Sequence, residues 1–222
     1  MPSERSRITW DGGTVSAAWH HPAHGGVYLV LGHGAGGTLD TPDLVTYADG
    51  LAQVGIGAVR FNFLYTEDRR KAPDRQAVLE DCYRAVADQV RRRAQTLFLG
   101  GRSMGGRIAS HIVASGTPAA GLVFLSYPLH PPGQPDRLRD KHLYTIKIPM
   151  LFVQGTRDAF AQPDLLQRTL ARLPTATLHA VDGADHALRV RGRAPADILR
   201  ELVGASADWI AHTSRPSGGA AD

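Results

Sequence analysis

Leu97-Phe98-Leu99-Gly100-Gly101-Arg102-Ser103-Met104-Gly105-Gly106-Arg107 runs an apolar stretch into two glycines, presents one serine, then continues through a second glycine pair into helix-forming residues. A serine on a tight strand-to-helix turn is what a nucleophile elbow needs. Its Oγ stands above the sheet, and its neighbours must be small enough for strand and helix to meet. Gly101 and Gly105 supply that smallness at the two ends of G-x-S-x-G. In a chain with 24 glycines the pattern alone carries little weight. The apolar run before it and the helical spacing after it make it specific.

Working outward, short apolar runs recur at 27–31, 58–61, 122–125, 150–153 and 177–181, besides 96–99 ahead of the elbow. Their continuity, rather than alternation, predicts strands buried on both faces. Helical spacing fills the intervals at 42–54, 73–93, 103–115, 163–172 and 195–211. In the second of these, Val78, Cys82, Val86 and Val90 recur every fourth residue, Asp74 is the expected cap, and Arg91-Arg92-Arg93 close the end where positive charge suits the helix dipole. Strand and helix in alternation predict an α/β fold, a mostly parallel central sheet with helices on both faces. Residues 7–10 and 14–20, joined at Asp11-Gly12-Gly13, predict an antiparallel hairpin at one edge.

The 222 residues suffice for one domain, expected over 1–212, with 213–222, rich in Ser, Gly, Ala and Pro, expected to be a disordered tail. Met1 to Arg7 are polar and no apolar stretch reaches the length of a membrane span, so a cytoplasmic protein without a membrane partner is expected. The single cysteine, Cys82, excludes an internal disulfide and fits a small buried hydrophobe. The formal net charge is +4, and all 25 basic residues except Lys71, Lys141 and Lys147 are arginine. They are scattered, whereas a nucleic-acid footprint is concentrated, so no nucleic-acid partner is expected.

In parallel sheets the working groups sit on loops at the carboxyl ends of the strands. Besides the elbow, three loops qualify: Gly32-His33-Gly34-Ala35-Gly36-Gly37, Gln154-Gly155-Thr156-Arg157-Asp158 and Asp182-Gly183-Ala184-Asp185-His186. Ser103, Asp158 and His186 therefore follow in the chain order serine, acid, histidine. A serine hydroxyl needs a base, and His186 is the candidate to take its proton and return it to the leaving group. Asp158 would hold the imidazole in one tautomer. The tetrahedral oxyanion needs donors already in place, and the backbone amides of Met104 and Ala35 are the candidates for that oxyanion hole.

Competing assignments are weaker. Ser103 as a mere helix cap leaves the glycines on both sides unexplained. Asp136 is the alternative acid, one strand earlier, while Asp182 and Asp185 are too near His186 in the chain to orient it. His33, beside the glycine loop, reads as a buttress for that loop. His20, His21 and His24 have no carboxylate or cysteine in their pattern, so surface histidines and no metal are expected. Gly32 to Gly37 lacks the phosphate-binding glycine patterns, so no nucleotide or other cofactor is expected.

Five motifs occur together: His33-Gly34-Ala35-Gly36-Gly37, Arg60-Phe61-Asn62-Phe63 with Tyr65, Gly101 to Arg107, Tyr127-Pro128-Leu129-His130-Pro131-Pro132-Gly133, and Val153 to Asp158. With them, from about Gly26 to Trp209, the chain resembles the α/β-hydrolase superfamily. Within it, the chain is similar to the subfamily related to dienelactone hydrolases that includes testis-expressed hydrolase-like proteins and the hydrolase-like domain of a non-specific-lethal chromatin complex subunit. The resemblance implies an α/β-hydrolase fold and a triad of Ser103, Asp158 and His186. Dienelactone hydrolases proper use cysteine as nucleophile, whereas this chain has serine.

Only about two dozen residues separate the runs at 122–125 and 150–153, too few for an inserted helical lid. An open site is expected, with Tyr65, Tyr127 and His130 lining the rim beside Asn62 and Phe63, and Arg69, Arg70 or Arg102 available to attract an anionic substrate. The resulting expectation is a cofactor-free serine hydrolase acting on a small-molecule ester, as a monomer or weak homodimer. The alternatives are a scaffold that retains the fold without turnover, and an acyltransferase or perhydrolase using the same residues.

Overall fold

The computed structural model describes residues 3–215. In chain order the elements are β1 (Glu4–Trp10), β2 (Gly13–His20), β3 (Val27–Gly32), α1 (Pro42–Gln53), β4 (Gly57–Phe61), α2 (Leu64–Glu67), α3 (Gln76–Arg91), β5 (Thr96–Arg102), α4 (Met104–Ala114), β6 (Gly121–Leu125), a 3-10 turn (Lys141–Thr145), β7 (Met150–Gly155), α5 (Pro163–Leu170), β8 (Ala176–Val181) and α6 (Pro195–Thr213). They build one eight-stranded sheet in the order β1-β2-β4-β3-β5-β6-β7-β8. From β4 to β8 every neighbouring pair is parallel. The expected hairpin pairs β1 with β2, and β2 then joins β4 antiparallel.

The apolar runs are continuous because each strand feeds two cores. Tyr28 and Val30 of β3, with Leu122 and Phe124 of β6, face the core that α3 and α4 cover. Leu29 and Leu31, with Val123 and Leu125, alternate to the opposite face under α1 and α6. β8 departs from this pattern. Thr177, Leu178 and Ala180 are exposed, because β8 ends the sheet and, among the described residues, no strand lies beyond it.

Helix α3 also departs, starting at Gln76 with no side-chain cap. Asp74, the expected cap, instead accepts the Tyr65 amide at 3.0 Å and pairs with Arg70 at 2.6 Å. Cys82 is fully buried on this helix, and burial pushes its thiol well above the ordinary range. At the other end of the chain α6 runs through Thr213, and residues 216–222 of the expected tail lie outside the described residues.

The elbow depends on backbone touching backbone. A Cβ on Gly105 would lie 2.1 Å from the Gly32 carbonyl oxygen, and one on Gly101, whose φ is +142°, would lie 2.2 Å from the same atom. Only glycine lets α4 descend onto the end of β3. From the other side the Tyr83 hydroxyl reaches the Val30 and Gly100 carbonyls at 2.9 and 2.6 Å and accepts the Gly100 amide at 3.0 Å, fixing β3 to β5 just below the turn. Gly105→Ala must push the helix off the sheet, and a loss of about 1–3 kcal/mol is expected from denaturant unfolding midpoints.

Behind α4 the His142 ring stacks on His111 with centroids 3.7 Å apart, while Ser110 Oγ and the Tyr127 hydroxyl face its Nε2 at 2.7 and 3.3 Å. Burial, helped by the neighbouring His111 and Arg107, pushes the His142 pKa from its ordinary 6.5 down to about 3. A histidine held neutral in the fold contributes stability above the unfolded value, and that stability is lost as pH falls from 6.5 toward 3. His142→Gln is expected to shallow the decline of unfolding free energy across this window, measured by denaturation at a series of pH values.

Candidate active site

Ser103 sits at the end of β5 with φ 50° and ψ −113°, a conformation that costs a non-glycine residue about 1–3 kcal/mol. Its amide donates to the Leu125 carbonyl at 2.9 Å, which anchors the turn to β6. Its Oγ does not cap α4; it lies 2.9 Å from His186 Nε2. On the far side of the ring, His186 Nδ1 lies 2.9 and 2.8 Å from the two oxygens of Asp158. An ionised carboxylate only accepts, so the ring proton belongs on Nδ1, which leaves Nε2 free to accept from the serine hydroxyl.

Asp158 is 3% exposed and surrounded by donors. Gln154 Nε2 donates to it at 2.6 Å and the Phe160 amide at 2.8 Å. Gln154 is itself fixed, since its Oε1 accepts the Tyr127 amide at 2.8 Å. The Phe160 ring stacks on His186 at 4.1 Å, so one residue both donates to Asp158 and covers His186. Sequence reasoning missed Gln154 and Phe160; four- and two-residue offsets from Asp158 were the available signal. Asp136, the alternative acid, is exposed in a surface hollow with Asp140 and Arg172.

The histidine loop is tied down locally. Thr156 Oγ1 donates to Asp182 at 3.1 Å and accepts the Gly183 amide at 2.8 Å, and the Arg157 amide donates to the Ala184 carbonyl at 2.9 Å. Asp185 Oδ1 accepts the amides of Ala187 and Arg189 at 2.9 and 3.0 Å. The two loop aspartates thus shape the turn that presents His186.

The glycine loop after β3 lies against the serine, since a side chain at Gly34 would come 3.6 Å from Ser103 Cβ. Met104, the first residue of α4, has no intrahelical acceptor for its amide. Two residues before Ala35, His33 is 1% exposed; its Nδ1 donates to the Gly34 carbonyl at 2.8 Å and its Nε2 accepts the Phe63 amide at 3.3 Å. Burial lowers its pKa, so it stays neutral and braces the loop. Further along, Asn62 accepts the Leu39 amide at 2.7 Å and donates to Glu67 at 2.9 Å. Burial pushes the Glu67 carboxyl up, yet donors from Ser16 and Asn62, with Arg7 nearby, outweigh it and hold the pKa low.

The rim is not where the sequence put it. Tyr65, Tyr127 and His130 are 1%, 0% and 1% exposed, and Phe63 is buried with them. Each has an internal role. Tyr65 stacks on Phe63, and the Tyr127 hydroxyl donates to the Arg139 carbonyl at 3.1 Å. His130 donates from Nδ1 to the Pro131 carbonyl and accepts the Gln162 amide at Nε2, while its own amide donates to the Phe160 carbonyl at 3.0 Å. His130 thus holds the 158–162 loop from behind. Arg70 is committed to Asp68 and Asp74, whereas Arg102 lies 3.9 Å from Asp43.

His20, expected on the surface, is 3% exposed and accepts the buried Arg60 Nε at 2.8 Å. Among the described residues no group of three His, Cys, Asp or Glu is placed to hold a metal ion. The β6-to-β7 connection, 126–149, contains the 3-10 turn and no lid helix.

Residues 25–213 match the family described as Alpha/beta hydrolase domain. The chain belongs to this family. Among solved structures, this alpha/beta hydrolase is similar to Est1E from Butyrivibrio proteoclasticus, with a TM-score of 0.76, 14% identity, and coverage of 94% of this chain and 98% of that one. It is similar to a dienelactone hydrolase from Anabaena variabilis at 0.74 and 17%, covering 95% and 97%. It also resembles XC6422 from Xanthomonas campestris, described as an a/b serine hydrolase without lid, at 0.72 and 22%, covering 94% and 95%. At these identities the likeness is one of fold.

Gln154→Ala removes a buried donor to a charged group, an interaction worth about 1.5–3 kcal/mol. Reaction of Ser103 with a fluorophosphonate probe is expected to slow about tenfold or more, with the melting profile showing that the fold persists.

Proposed function

We propose that this alpha/beta hydrolase is a cofactor-free serine hydrolase, a carboxylic ester hydrolase of the dienelactone-hydrolase-related subfamily, acting on small-molecule esters in the cytoplasm as a monomer or weak homodimer. The observation that carries the reading is the unbroken hydrogen-bonded chain from Ser103 Oγ through His186 to the buried Asp158, built on a strained serine. In the proposed reaction His186 Nε2 takes the hydroxyl proton as Oγ attacks the ester carbonyl. The oxyanion accepts from the amides of Ala35 and Met104. Collapse breaks the bond to the alcohol, which leaves with the proton from His186, and a water repeats the sequence on the acyl-enzyme.

The open site, without a lid helix between β6 and β7, supports water as the acceptor, although an alcohol or peroxide acceptor would use the same groups. A scaffold that retained only the fold would have no need of the serine conformation, whose strain a non-catalytic chain is free to lose. A fluorophosphonate probe is expected to label Ser103, and Ser103→Ala is expected to abolish labelling and lower ester turnover by about 1000-fold or more while the melting temperature holds. An unlabelled wild-type protein would remove the assignment.

A further inference from the structure

On the α1 and α6 side of the sheet lies a cavity of about 430 Å³ that the mechanism does not use. Most of its lining is apolar, with Leu44 and Tyr47 of α1, Leu125 of β6, Leu188 of the histidine loop, and Ile198 and Leu202 of α6, while the exposed Asp43, Arg189 and Arg193 put charge at its rim. All six apolar residues are buried, between 1% and 7% exposed. A recess of this size whose lining includes core side chains offers apolar surface that a ligand can cover.

Its position says what that is. The wall includes Arg102, the residue before Ser103, and Leu125, whose carbonyl accepts the Ser103 amide. It also includes Ala187 and Leu188, the two residues after His186. The cavity therefore borders the backbone on both sides of the serine–histidine pair. At about 30 Å³ for each water-sized group it holds roughly fourteen such groups, which leaves room for an unbranched chain of roughly eight to ten carbons.

We propose that this cavity binds the apolar chain of the ester, giving the enzyme a preference for medium-chain substrates. The inference rests on Ser103 as nucleophile and goes beyond it by naming the substrate class. Burial of successive methylenes favours longer chains by about fourfold each until the space is filled. The chain can belong to the acyl or to the alcohol side of the ester, and a substrate panel separates the two.

The test measures kcat/KM for 4-nitrophenyl esters from acetate to dodecanoate, and for methyl to decyl acetates, with wild type, Leu199→Trp and Val190→Trp. Both substituted residues line the cavity and are only partly buried, so either can carry the test if the other misfolds. Wild type is expected to rise with chain length to about eight to ten carbons in one series. The tryptophan variants should lose at least tenfold on the octyl or octanoyl member and keep the shortest ester unchanged. A flat profile in both series, or a profile untouched by either tryptophan, overturns the proposal. Decanoate binding by calorimetry reads the cavity without turnover. If wild type is not labelled by the fluorophosphonate and cleaves no ester, the hydrolase reading fails by itself. In that case decanoate binding abolished by Leu199→Trp still supports the apolar-chain site, and no binding overturns it.

Discussion

The backbone contact between Gly105 and Gly32 is the constraint from which the rest of the site follows. With no side chain on either residue, α4 can seat its first turn on the end of β3, and the chain between β5 and α4 must then turn within one residue. Ser103 takes that turn at φ 50°, which lifts its hydroxyl clear of the helix it would otherwise cap. The same seating brings the glycine loop of β3 against the serine. One close approach thus sets the height of the hydroxyl, the start of the helix and the position of the neighbouring amides together.

Around that turn the structure divides labour by distance. Groups within hydrogen-bond reach of one another, Ser103, His186 and Asp158, are few. A larger set holds them still: Gln154 and Phe160 on the acid, Thr156, Asp182 and Asp185 on the histidine loop, His33, Asn62 and Glu67 on the glycine loop. Two of these, Gln154 and His33, are polar and buried, and each is satisfied by specific partners, which is how a loop-borne site acquires the rigidity of the sheet beneath it.

The strands, the helices between them and the serine, acid and histidine loops were readable in the sequence because each rests on local pattern: a continuous apolar run, a four-residue spacing, a glycine where backbones meet. What escaped depends on partners that no local pattern marks. Thr177 to Val181 reads like the other runs, yet its exposure is decided by being last in the sheet. Tyr127 and His130 follow a strand as rim residues do, but Arg139, Gln162 and Phe160 claim their polar atoms. Asp74 has the chemistry of a cap and is taken by Tyr65 and Arg70 before the helix begins. Gln154 lies in the quoted acid loop without betraying that its amide bridges Asp158 and Tyr127.

Asp158 meets hydrogens on every side, from a glutamine amide, a backbone amide and an imidazole. An asparagine there would match the carboxylate in shape, but it would have to turn its own amide hydrogens toward one of those donors. The mismatch would be relieved by rotating Gln154 or by moving the imidazole proton to the other nitrogen. The first sacrifices the Tyr127 amide and the second makes His186 a donor toward Ser103. The polarity of one side chain thereby dictates the direction of every hydrogen bond that leads to the serine, so the charge on Asp158 does for orientation what the glycines do for space.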